Sequence, residues 1–148
     1  MALRNIVKEG DPVLRKTSRS VLNFDEKLAI LLDDMKETMY KAEGVGLAAP
    51  QVGILRRVCI VDVGDGLVEL INPVIEEEEG SQEGSEGCLS CPGESGVVIR
   101  PMKVTVRAQD RNGNTFKVTG EELKARAFCH EIDHLNGIIY KDKVIRKD

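Results

Sequence analysis

The chain has 148 residues, 41% hydrophobic and 31% charged, with a formal net charge of −4. That length and balance suit a single domain over residues 1–148, and they exclude both a disordered chain and a membrane protein, since no apolar run approaches the length of a span. The acidic balance argues against direct nucleic-acid binding, which favours a basic face, and Met1 to Gly10 lack the apolar centre of a secretion signal, so a cytoplasmic location is expected.

Asp25 to Ala42 is predicted to be a helix, with Leu28, Leu31, Leu32, Met35 and Met39 at helical spacing and Gly44 as its terminator. Gly44 to Gly53 is small and almost uncharged. Its Gly44, Gly46 and Ala49 mimic a dinucleotide-binding turn, but a helix precedes it and Pro50 stands where a helix should begin, so a close-packed loop presenting Gln51 is the better reading. Arg57 to Val63 reads as a strand, Gly64 to Gly66 as a turn, and Val68 to Ile71 as a strand closed by Asn72-Pro73. The run Glu76 to Glu79 is expected on a solvated loop or strand edge, and residues 76–87 altogether as loop or poorly formed edge. Val97 to Ile99 is short and apolar. Val104, Val106 and Ala108 alternate with polar residues, and Asp110 to Gly113 signals a hairpin returning through Phe116 and Val118. Thr119 to Glu122 has the form of a capping box, opening a helix to Leu135 that Asn136-Gly137 would stop. A helix, several strands and a helix, in that order, give an α+β fold of mainly antiparallel strands around a C-terminal helix.

The two histidines, His130 and His134, flank Glu131 in His-Glu-x-x-His. Their spacing puts both imidazoles on one helical face with Leu123 and Ala127, so a core-facing stripe would aim them at one point. Two converging neutral imidazoles can bind a divalent transition metal, and the intervening glutamate can take a proton from a water there. The bland alternative is a pair of surface histidines on an amphipathic helix. A metal site needs at least one further protein ligand, and no histidine or glutamate follows Gly137. The cysteines are Cys59, Cys88, Cys91 and Cys129, which in a reducing compartment suggest metal binding or packing before disulfides. Cys88, after Gly87, is the best donor; read alone, it would be a packing cysteine. A thiolate there favours iron, zinc or cobalt over magnesium or calcium. The Gln51 carboxamide could donate to a developing oxyanion or simply bond backbone, and spacing leaves both open.

Together Gly44-Val-Gly-Leu-Ala-Ala-Pro-Gln51, Glu86-Gly-Cys-Leu-Ser90 and His130-Glu-Ile-Asp-His134 resemble the ordered motifs of the peptide deformylase family, and Gly10-Asp-Pro-Val-Leu-Arg15 extends the likeness over nearly the whole chain. The resemblance implies a metallohydrolase that removes the formyl group from the N-terminal formylmethionine of nascent polypeptides and releases formate. It implies one divalent metal held by Cys88, His130 and His134, usually Fe2+, with Zn2+, Ni2+ or Co2+ as alternatives. Glu131 would be the general base, and Gln51 and the Leu89 backbone N–H the oxyanion donors. The substrate would lie extended between Gly46 and Gly87, its methionine side chain among Val45, Leu123, Arg126 and Ala127. Arg126 replaces an apolar residue of some members; its stem would form a wall and its head would reach solvent. Cys91 and Cys129 also depart from the family pattern. Arg100 is expected to pair with Asp133, as at matching family positions. Longer members carry a C-terminal helix linked to ribosome docking, so at most transient ribosome contact is expected here, from a monomer. The rival readings are a structural zinc module of Cys88, Cys91, His130 and His134, closed to water, and a zinc peptidase that shares Glu131.

Overall fold

Asp25 accepts a hydrogen bond from the Leu28 N–H at 3.1 Å and opens helix α1, Glu26–Lys41, in the computed structural model, which describes residues 2–148. The helix buries Leu28, Leu31, Leu32, Met35 and Met39. Its left-handed stop is Glu43, at φ 59°, rather than the expected Gly44. Gly44 is required for another reason: a Cβ there would lie 2.7 Å from Leu89 Cδ1.

Five antiparallel strands follow in the spatial order β1 (Gly46–Ala48), β2 (Val58–Val61), β3 (Val68–Glu79), β6 (Lys103–Gln109) and β7 (Thr115–Glu121). A second antiparallel sheet holds β4 (Gln82–Cys88), β5 (Cys91–Arg100) and β8 (Val144–Arg146). Helix α2, Leu123–Leu135, packs on the larger sheet. Alternation along β2 serves both helices: Cys59 and Val61 join the cluster with Phe128, Ile132 and Leu135 of α2, while Val58 and Ile60 join that with Leu31, Leu32 and Met35 of α1. Behind the small sheet, Leu14, Cys91, Val98, Ile139 and Tyr140 form a third cluster. The α+β reading and the antiparallel pairing therefore stand.

Three local expectations are corrected. Asn72-Pro73 does not close a strand; the ladder slips between Ile71 and Val74 and β3 continues to Glu79. Asn72, at φ 52°, bonds Val21 through both its carboxamide groups and also donates to Gln109, so the interruption is a bulge held from both sides. Residues 76–87 are mostly strand, not loop: Glu76 pairs with Arg107 on the adjacent β6 and with Lys117 on β7 beyond it, and β4 pairs with β5 along its length. The capping box does not form. Thr119 belongs to β7 and shares a hydrogen bond with Thr105 across the ladder at 2.9 Å, while Glu122 caps α2 at φ 53° without a side-chain bond.

Candidate metal centre

Helix α2 carries His130, Glu131 and His134 into the interior, all three buried. The hairpin turn between β4 and β5 brings Cys88 to meet them. Ligand atoms of Cys88, His130 and His134 lie within 4.8 Å of one another, and among the described residues no other His, Cys, Asp or Glu joins this group. Cys91 is outside it, so the four-ligand zinc module is not assembled. Cys88 Sγ and His134 Nε2 are 3.4 Å apart. Sulfur and nitrogen about 2.3 and 2.1 Å from one tetrahedral ion would be separated by about 3.6 Å, so the observed spacing fits a shared metal.

A hydrogen-bonded carboxylate stands behind these three residues. Glu86 Oε1 bonds His130 Nδ1 at 2.9 Å, which leaves His130 Nε2 for the centre. Arg100 grips both Glu86 oxygens at 2.8 and 2.9 Å and reaches Asp133 at 2.7 Å, so the expected Arg100–Asp133 pair is present but is half of a larger network. Burial alone would raise the Glu86 pKa; the bonds from Arg100 and His130 outweigh it and hold the group at about 2. Tyr140 stacks on the His130 ring with centroids 5.9 Å apart.

Arg126 is corrected outright. Its head does not reach solvent but is buried, with Nη1 donating to Glu86 Oε2 at 2.7 Å and to the Val98 and Gly84 carbonyls at 3.0 and 3.2 Å. A Cβ on Gly84 would lie 2.8 Å from its other terminal nitrogen, so that glycine makes room for it. A buried carboxylate draws in the guanidinium that solvent would otherwise hold.

Glu131 lies tight against the strand opposite. A Cβ on Gly46 would come within 2.4 Å of its Oε2, and its buried Oε1 has no protein hydrogen-bond partner. Burial raises its pKa to about 7, with His130 opposing. Burial lowers His134 to about 3, which keeps the imidazole neutral. Burial also favours neutral His130, but the negative charge of Glu131, Cys88 and Glu86 outweighs it and raises that group to about 10. Carboxyl groups and a thiol gathered around two imidazoles make a donor set that suits a divalent cation. Cys91, by contrast, is pushed to about 11, chiefly by burial, and stays a thiol.

A cavity of about 440 Å³ opens onto these groups. Val45, Gly46, Gln51, Gly87, Leu89, Leu123, Arg126 and Ala127 line it together with Cys88, His130 and Glu131, while His134 does not line it and meets Cys88 and His130 behind. Gln51 is held by its carbonyl, which accepts from the Ala48 N–H at 2.9 Å, and its amide donates to Ser90 Oγ at 3.1 Å and toward Cys88 Sγ at 3.5 Å. The segment bearing it is a short strand and the turn Ala49–Val52, beginning near the very proline that seemed to forbid a helix. Leu123 does not share the buried stripe of the histidines. It is 52% exposed, at the cavity mouth, because α2 starts there.

Sequence reasoning assigned no role to Glu86, Gly84 or Tyr140. Glu86 carried a usable signal, since two residues before Cys88 on a strand is the same face. Gly84 and Tyr140 carried none, because their partners are distant in sequence.

A family model described as polypeptide deformylase matches residues 3–148. The peptide deformylase of Acetivibrio thermocellus is 60% identical over 146 residues, 99% of this chain and 86% of that protein. That of Alkaliphilus metalliredigens is 59% identical over 147 residues, 99% of this chain and all of that protein. The crystal structure of peptide deformylase from Thermotoga maritima superposes with a TM-score of 0.94 at 43% identity, covering 96% of this chain and 97% of that one.

Proposed function

We propose, for a chain that belongs to the polypeptide deformylase family and so removes the formyl group from the N-terminal methionine of nascent polypeptides, that Cys88, His130 and His134 hold one divalent metal and that Glu131 moves the protons. The observation carrying this reading is the convergence of three soft and borderline donors on one point, with the unpartnered Glu131 Oε1 buried beside them. The sulfur-and-imidazole donor set favours Fe2+, Zn2+, Ni2+ or Co2+, and we take Fe2+ as the native ion.

The ion, when bound, supplies Lewis-acid activation of the attacking water and of the formyl oxygen. Glu131 takes a proton from that water on a carboxylate oxygen and delivers it to the departing amine nitrogen as the C–N bond breaks, releasing formate. The Gln51 amide, already fixed by Ala48, turns its donor from Ser90 to the formyl oxygen, joined by the Leu89 N–H. The backbones at Val45, Gly46 and Gly87 receive the peptide as an added strand, and Leu123, Ala127 and the Arg126 stem receive the methionine side chain. The whole chain acts as one catalytic domain. The reading extends to a monomer working in the cytoplasm with transient ribosome contact, which size analysis and co-sedimentation test.

The decisive experiment is anaerobic formate release from a formyl-Met peptide, with metal content measured on the same sample. One equivalent of metal lost together with activity on Cys88→Ala is expected. Full activity in that variant, or in rigorously metal-free protein, would reject the reading.

A further inference from the structure

Cys91 has no place in the reaction, yet it lies directly across the hairpin from Cys88. The two are paired residues at the end of the β4–β5 ladder, beyond a register shift that follows Gly87, and are separated only by the turn Leu89-Ser90. Opposed residues in antiparallel strands stand about 4.5–5.5 Å apart at Cα, inside the about 4.4–6.8 Å a disulfide spans. Paired residues also send their side chains to the same face, and both cysteines belong to the cluster with Leu14, Val98 and Tyr140. Both line the cavity, Cys88 half-buried and Cys91 buried. Cys59 on β2 and Cys129 on α2 lie in a different cluster, between that helix and the larger sheet.

We propose that Cys88 and Cys91 form a site of reversible oxidative modification, in which Cys91 captures peroxide-oxidised Cys88 as a disulfide across the hairpin. In the first step the Cys88 sulfur attacks one peroxide oxygen. The O–O bond breaks, the leaving alkoxide or hydroxide is protonated by solvent, and the sulfur becomes a sulfenic acid. The peroxide is reduced by the two electrons that the sulfur gives up. In the second step the Cys91 sulfur attacks the Cys88 sulfur, the S–O bond breaks, and the hydroxyl leaves with the Cys91 proton as water. The disulfide stops Cys88 from advancing to the sulfinic and sulfonic acids, which thiols do not reverse. A short, cavity-facing bond of this kind is readily reduced. The disulfide needs only the hairpin geometry. Its effect on metal holding rests on the ligand reading above, so thiol mapping and metal content are read separately.

The test uses the zinc-loaded enzyme, whose ion is redox-inert. It is treated with hydrogen peroxide, alkylated in denaturant and mapped by mass spectrometry. The peptide spanning Cys88 and Cys91 is expected unalkylated at both positions and lighter by two hydrogens, with Cys59 and Cys129 still alkylated. Dithiothreitol followed by metal should restore most of the lost activity. In Cys91→Ala, and in Cys91→Val as a better-packing control, Cys88 should gain two or three oxygens, and the loss relative to each variant's own untreated rate should persist after dithiothreitol. A parent protein in which Cys91 stays alkylatable while Cys88 gains those oxygens, or in which Cys88 links only to a second chain, overturns the proposal.

Discussion

Glu131 and Gly46 form one contact with two predictions in it. Glu131→Gln keeps the three metal donors and removes the proton acceptor, so metal content should hold while kcat falls about 10²–10⁴-fold. Formate release with metal analysis checks this, and a near-parent rate would remove Glu131 as the base. Gly46→Ala puts a methyl where the Glu131 carboxylate sits, 2.4 Å from Oε2. A displacement near 1 Å at a reacting group costs about 10²-fold, so a comparable loss of kcat is expected with metal retained. An unchanged kcat would mean that the carboxylate has room the geometry denies. The histidine pair and Glu131 were legible from the sequence because helical spacing is local and fixed. Arg126 was misread because its environment depends on Glu86, forty residues away: an isolated arginine seeks water, whereas this one answers a buried charge.

Strands β4 and β5 are joined to α2 by one charged knot. Arg100 on β5 grips Glu86 on β4 and Asp133 on α2, its side chain only 3% exposed. Arg100→Ala would leave Glu86 short of partners and Asp133 facing only Lys143 at 3.2 Å. The expected cost is about 3–5 kcal/mol for a broken buried pair, read by denaturant unfolding, together with faster metal loss to a chelator. A variant with unchanged stability and metal retention would show the knot to be incidental. The elements of this knot were unevenly legible. Both helices and the β6–β7 hairpin announce themselves through periodicity and turn residues. The strands through 76–87 do not, since glutamate, glycine and serine have low strand propensity. They pair because lysine and arginine on β6 and β7 offset the charge of Glu76 and because Arg100 and Arg126 occupy the buried face, which only the assembled sheets provide.

At the scale of the molecule, the N-terminal segment is fastened to α1 by the Asp34 carboxylate and by the Arg4 N–H, which donates to Thr38 Oγ1 at 3.0 Å. Asp34 accepts from the Ala2 N–H at 2.8 Å and from Arg4 at 2.9 Å. Its pKa is lowered, first by the Ala2 bond, against an opposing burial effect, with Arg4 adding to the fall. A group whose folded pKa lies below its unfolded 3.8 stabilises the fold fully above that value and stops doing so as the pH drops through the folded value. Asp34→Asn should therefore cost about 1–3 kcal/mol near neutrality, and the gap should close on acidification below the ordinary carboxylate range. Melting curves of both proteins across that range check it; a constant gap would place the effect in packing instead.

The distribution of the site along the chain also fixes an order of assembly. Gln51, Cys88 and the α2 residues come from three stretches of sequence, and α2 follows every strand of the larger sheet. During synthesis the N-terminal side emerges first, so Gln51 and Cys88 are made before His130, Glu131 and His134, and strand β8 of the smaller sheet is made after them. A half-made copy has Cys88 without His130 and His134, and so lacks the cluster that the three residues form. The catalytic groups therefore come together only once α2 is complete and docked against the larger sheet.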